Sequence, residues 1–249
     1  MYKDKNLSYD ERAKDLLSKM TLDEKIEQMI GFYAKYKDYG KTVDYPACSC
    51  VFQHPPLDDT IDRMQDHYLK ETRLGIPMLI AYECLHGMYD PRATVFPQSA
   101  GLGGTFNREL IAEMADVIGQ EAEAIGVRHV YAPDLDIPRD PRWGRMQECY
   151  GEDPYLVGEY GVRYVKGIQD HRVAATAKHF IGYGVPESGI NLSSAHIGER
   201  ELREVYLEPF RKVIDAGVMT VMPAYNEIDG EPVHASKKLL RGLLREELG

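Results

Sequence analysis

The sequence runs to 249 residues, 43% hydrophobic and 28% charged, enough apolar side chain for a full core. Thirty basic against forty acidic residues give a formal charge of −10, which argues against nucleic acid and anionic membranes as partners and suits a neutral ligand. No apolar run approaches the ~20 residues of a membrane helix. The charged start MYKDKNLSYDERAKDLLSKM has no apolar secretory core, so a cytoplasmic chain is expected.

In chain order, residues 9–31 read as helical, with a break near Ser18–Met20 and a capping box of Thr21 with Glu24. A short strand is expected at Cys48–Phe52 and a helix at Ile61–Leu74. LGIPMLIAYE is the clearest strand and closes on Glu83. Arg108–Ile125 reads as a helix capped by Asn107 and stopped by Gly126. VRHVYAP is the next strand, followed by the polar loop DLDIPRDPRWGRMQECYGEDP. Then come a helix at Tyr155–Asp170, the strand VAATAKHF, a helix at Glu199–Ala216, the strand VMTVMPAY and a helix at Ser236–Leu248.

Strands alternating with helices indicate an α/β fold with a parallel sheet. The long polar loops follow strands, whereas helix-to-strand connections such as Ile125–Val127 and Ala216–Val218 are short. A barrel with its site on the C-terminal face has this asymmetry. A doubly wound sheet would call for a glycine-rich phosphate loop after a strand. Gly101–Gly104 follows no strand and reads as a turn before a helix. The expectation is therefore one domain over residues 1–249, a TIM-type (β/α)8 barrel. Only five strand–helix units are read, so the barrel is expected to be incomplete at its C-terminal end.

In that frame the strand ends and following loops present Glu83, Arg145, Lys178, His179, Met222 and Tyr225, with Trp143 offering an apolar face. A carboxylate, fixed cations and aromatics suit a polyhydroxylated ligand, bound by charge-assisted hydrogen bonds and ring stacking. Plainer roles compete for several residues. Asp140 and Arg142 read as a structural ion pair, Asp134 and Asp136 as loop caps, and His86 and His129 as core histidines. Without further context, Lys178–His179 reads as a surface lysine beside a core histidine. Cys48, Cys50, Cys84 and Cys149 form neither a disulfide framework nor a complete zinc set, so reduced structural thiols are expected, with no metal and no cofactor.

The run RDPRWGRMQECYGEDPYLVGEYGVRYVKGIQ, with AYECLHG before it and KHFIGYGVPESG and VMPAYN after it, resembles the N-terminal barrel of glycoside hydrolase family 3. That family includes β-glucosidases and β-xylosidases. The resemblance implies a β-linked oligosaccharide or glycoside as ligand, hydrolysed at terminal non-reducing sugars with retention. Position by position, it implies that Glu83 holds two glycone hydroxyls and that Arg145 contacts the same ring. Lys178 and His179, joined by a non-proline cis peptide, would clamp neighbouring hydroxyls as two adjacent donors, with Met222 and Tyr225 packed near the nucleophile.

Two departures stand out. Ile190 occupies a position where relatives with a PEGGRN loop have an arginine. In the family, the nucleophilic Asp follows a segment like LLREELG, where this sequence ends, and the general acid comes from a second domain. The 249 residues are thus expected to bind the glycone without supplying the catalytic pair, to be inactive by themselves, and to need self-association or a complementary fragment to close the barrel. The alternatives are a non-catalytic assembly or carbohydrate-binding module and, from another enzyme class, a Schiff-base aldolase-type barrel using Lys178.

Overall fold

The computed structural model describes residues 1–35, 48–52, 56 and 58–249. Two compact units make up the chain, Met1–Ala81 and Tyr82–Gly249. In the first, the region read as helical with a break near Ser18–Met20 divides there into α1 (Tyr9–Lys19) and α2 (Leu22–Glu27), and its end passes into a strand β1 (Gly31–Ala34). The break has a local cause. Ser8 with Glu11 and Thr21 with Glu24 each complete a capping box, so two helix starts lie thirteen residues apart. Strand β1 pairs in parallel with β2 (Ser49–Phe52). After α3 (Thr60–Lys70) comes β3 (Leu79–Tyr82), whose residues Leu79–Ala81 run parallel to β2.

The second unit holds α4 (Ser99–Gly103), α5 (Arg108–Ala124), β4 (His129–Val130), α6 (Pro154–Gln169), β5 (Thr176–Phe180) and β6 (Thr220–Pro223). Asn107 caps α5 as expected, its side chain accepting from Leu110 N–H. Asp153 caps α6, with Pro154 at the first helical position. Helix α5 buries Ile111, Met114, Ala115, Ile118 and Ala122, the spacing of one helical face. It packs against α6 where Gly167 leaves room, because a Cβ there would stand 2.7 Å from Ala115 Cβ. Gly161 does the same for Leu135 and Val213. Val213 belongs to α8 (Glu208–Asp215), which ends a helical run that starts with α7 (Glu199–Glu201) and passes through a π-helical turn at Leu202–Tyr206.

Strand β5 is buried at every position, as a central parallel strand should be. On one side β6 pairs with it in parallel, Lys178 opposite Met222, and the register shifts between Lys178 and Phe180. On the other side the segment after β4 follows it: Val130 N–H donates to Ala174 O, Thr176 N–H to Ala132 O, and Leu135 N–H to Lys178 O. The strand read from VRHVYAP thus continues as a ladder past its two regular residues and sets Asp134 and Asp136 beside Lys178 and His179. A hairpin, β7 (Glu227–Ile228) with β8 (Glu231–Pro232), turns on Asp229 and Gly230, both at positive φ. Asp-Gly is a favoured dipeptide for such a turn. The terminal helix covers Lys238–Glu247. The fold is α/β with parallel strands, and no pairing among the described residues joins the strands into a closed ring.

Candidate active site

The site lies where β5 gives way to its loop. The Lys178–His179 and Phe180–Ile181 peptides are cis, and Gly182 turns the chain at φ 74°. Lys178 is 1% exposed, and its Nζ lies 3.2 Å from Glu83 Oε2. A buried ammonium is tolerated only with such a partner. The Glu83 side chain is 53% exposed, so the carboxylate that neutralises the lysine still presents free lone pairs outward. Glu83 lines a cleft of about 470 Å3 together with Arg145, Glu148, Gln98 and the loop His86–Tyr89. Lys178 and His179 are not among its lining residues; Lys178 joins it through the Glu83 ion pair.

Arg145 is held differently. Its Nε and Nη2 donate to the two oxygens of Glu148 at 2.7 and 2.8 Å, and its guanidinium sits 5.4 Å from the centre of the Tyr183 ring. Burial works to raise the Glu148 carboxyl, but the hydrogen bonds and charge of Arg145 hold it below the usual range. Burial likewise opposes the Arg145 charge, and Glu148 more than restores it.

His179 is 1% exposed, and its Nδ1 lies 2.7 Å from Asp136 Oδ2. Tyr183 meets the ring edge-on at 5.0 Å and Tyr225 lies 5.5 Å away. Asp134 Oδ1 accepts the N–H of Asp136, while Asp134 Oδ2 is buried without a hydrogen bond, 3.6 Å from His179 Nδ1. Burial, reinforced by the Asp136 charge, pushes Asp134 up to about 8. Burial also raises Asp136, against the pull of Arg145 and the N–H of His179, and it lowers His179 to about 4. Among the described residues, Asp134, Asp136 and His179 are the group whose ligand atoms come close enough to hold a metal ion, within 4.8 Å of one another. They are already hydrogen-bonded together, so we read them as a network and assign no metal.

The expected residues thus fall into one connected set with one exception. Glu83 pairs with Lys178; Arg145, His179 and Tyr225 meet around Tyr183; the Lys178–His179 peptide joins the two groups, and Met222 faces Lys178 across the β5–β6 register. Trp143, expected to offer a face to a sugar, is instead 2% exposed. Its Nε1–H donates to Asn191 Oδ1 and its ring meets Tyr183 edge-to-face at 5.1 Å, so it supports the layer under Arg145. Ile190 beside it is 64% exposed. Asp140 and Arg142 form the structural pair expected of them.

Sequence reasoning missed Glu148, Tyr183 and Asn191, and took Asp136 for a loop cap. Glu148 was findable, three residues after Arg145 in a short 3-10 turn. Asn191, which accepts from both Trp143 Nε1–H and Tyr183 O–H, gives no local sign in the sequence.

Residues 21–249 match the family model described as glycosyl hydrolase family 3 N terminal domain. A β-xylosidase of Formosa agariphila is 39% identical over 96% of this chain, which covers 30% of that protein. A periplasmic β-glucosidase of Salmonella typhimurium is 35% identical over 94%, covering 31%. The crystal structure of a β-glucosidase from Listeria innocua in complex with glucose superposes with a TM-score of 0.87 at 34% identity, over 97% of this chain and 36% of that one. The chain therefore spans about a third of the length of these relatives.

Proposed function

Because the chain belongs to the glycosyl hydrolase family 3 N-terminal domain family, we propose that it carries the glycone-binding part of a retaining β-glycosidase of the β-glucosidase or β-xylosidase type. One observation carries the reading: a buried lysine whose partner carboxylate is half exposed on a cleft. Such a pair offers a sugar both an acceptor and a donor on one spot, and neither needs a charged ligand to satisfy it. Arg145, fixed by Glu148 and Tyr183, adds further donors on the same cleft. No phosphate or carboxylate is required, in keeping with the net charge of −10.

Retention needs two carboxyl groups about 5–5.5 Å apart, one attacking and one exchanging a proton. Glu83 is committed to Lys178 and Glu148 to Arg145, while Asp134 and Asp136 are sealed off. We assign neither catalytic carboxyl to these residues and expect the 249-residue chain alone to bind sugars without cleaving them. Calorimetric titration with methyl β-glucoside and methyl β-xyloside, beside a nitrophenyl-glycoside assay, tests both parts. Saturable binding that Glu83→Ala abolishes is the expected result. Binding of neither sugar would sink the glycone reading. Turnover would overturn the division of labour and make Glu83 the first suspect for nucleophile.

A further inference from the structure

We propose that Asp136, seated on Asp134, is a positioning residue that fixes both the ring and the tautomer of His179, so that Nε2 accepts a hydrogen bond from one sugar hydroxyl while neighbouring Lys178 donates to another. The ligand rests on the glycone reading above; the proton assignment does not.

The geometry starts with the backbone. The ladder beside β5 brings Asp134 level with Lys178 and leaves Asp136 two residues further along, with its carboxylate on His179 Nδ1. A carboxylate 2.7 Å from a ring nitrogen accepts a hydrogen bond from its N–H, and a neutral imidazole has only one N–H to offer. Nε2 is then a bare acceptor. It has no hydrogen-bond partner among the described residues and, unlike Asp134 Oδ2, is not sealed from solvent. Tyr183 and Tyr225 pack against the ring and limit its rotation.

Asp134 completes the arrangement. Two ionised carboxylates side by side without a cation between them are costly when buried, and Asp134 Oδ2 has no donor to satisfy it. With a proton, Asp134 carries no charge to repel Asp136, and an ionised Asp136 then holds the negative charge that faces Nδ1–H. Burial acts in the same direction on Asp134, which it raises, and on His179, which it keeps uncharged. The hydrogen bonds run from Asp136 N–H to Asp134 Oδ1 and from His179 Nδ1–H to Asp136, leaving a lone pair on Nε2. The adjacent cation and histidine are therefore a donor and an acceptor. The proposal thus departs from the two adjacent donors implied by the family resemblance.

Two arms test this on the 249-residue chain. Long-range 1H–15N correlation spectra of histidine-labelled protein report the tautomer with no sugar present. The expected pattern for His179 is neutral Nδ1–H at pH 8, above the value of about 7 to which burial raises Asp136, lost in Asp136→Ala and retained in Asp136→Asn, whose amide oxygen still accepts from Nδ1–H. An Nε2–H tautomer, or an imidazolium at pH 6, overturns the proposal. If Asp136→Ala does not fold, the wild-type and Asp136→Asn spectra decide alone.

The second arm titrates glucose and its monofluoro-deoxy analogues, since fluorine cannot donate. One fluorinated position should weaken binding ~10-fold, and His179→Ala should erase that penalty. A position coupled to His179 that tolerates fluorine as well as hydroxyl would mean that His179 donates, overturning the proposal. Loss of all sugar binding with the Nδ1–H pattern intact would overturn the glycone reading, and with it the sugar-facing half of this one.

Discussion

Two ion pairs meet the same cleft and teach opposite lessons. At the strand end, the cation is buried and the anion half exposed, with a single contact of 3.2 Å between Lys178 and Glu83. In the loop, Arg145 and Glu148 are both mostly covered, at 21% and 17% side-chain exposure, and joined by two parallel hydrogen bonds. The first pair leaves its carboxylate with lone pairs to spare; the second consumes both oxygens of its carboxylate. Charge type is the same in each. What differs is which partner faces water, and that leaves Glu83 free to accept further hydrogen bonds where Glu148 is not.

The largest effect should follow from breaking the strand-end pair. Lys178→Met keeps the length of the side chain, removes the donor and leaves Glu83 unpaired. Affinity for methyl β-glucoside should fall ~100-fold, the scale of one strong charge-assisted hydrogen bond. Binding within threefold of wild type would show that the ligand half of the cleft lies elsewhere. The comparison itself is tested by paired neutral substitutions. Glu83→Gln should weaken binding ~30-fold, whereas Glu148→Gln, which only loosens Arg145, should weaken it ~5-fold. The reverse order would exchange the roles assigned to the two carboxylates.

Beneath both pairs, the buried Asp134 gives a stability effect with a definite sign. Its folded value of about 8 stands above the ordinary 3.8, so its proton is held more tightly in the native state. That contribution is complete below about pH 4, declines as pH rises and is gone above about pH 8. His179 runs the other way: lowered from 6.5 to about 4, it contributes above pH 6.5, and the contribution is lost as pH falls through 4. Asp134→Asn copies the protonated state and removes only the first slope. In urea unfolding, wild type should lose stability relative to Asp134→Asn between pH 5 and 8, by at most ~1.4 kcal/mol per pH unit, and no further from 8 to 9. A constant gap would place the proton elsewhere.

Much of this was legible because local signals and tertiary ones agreed. The caps at Asn107 and Thr21, the amphipathic face of α5 and the apolar run of β5 each specify an element from its own residues. Glu83, Lys178 and Arg145 were legible as charges at strand ends and in the following loop. What the sequence hid was direction. Residues 9–31 are apolar at helical spacing through Ile30, yet pairing with β2 draws Gly31–Ala34 into a strand. Asp136 carries the loop-cap signature shared by Asp134, and only the ladder to β5 reveals that its carboxylate meets a histidine 43 residues away. Burial of Trp143 was equally unreadable, since a tryptophan in a polar loop looks the same whether its face is open or covered.

Trp143→Phe gives the smallest expected effect and tests that last point. The ring is 2% exposed, so losing the indole should leave sugar affinity within about twofold. Stability should fall by about 1–2 kcal/mol, from the lost Nε1–H bond to Asn191 and the volume left behind. Asn191 keeps the Tyr183 hydroxyl at 2.7 Å, so its oxygen is not orphaned and the larger penalty of an unsatisfied buried acceptor is avoided. Urea unfolding and the methyl β-glucoside titration read the two numbers separately. A tenfold loss of affinity with little change in stability would return Trp143 to the sugar-stacking role that its sequence position first suggested, and would mean that the loop opens when ligand binds.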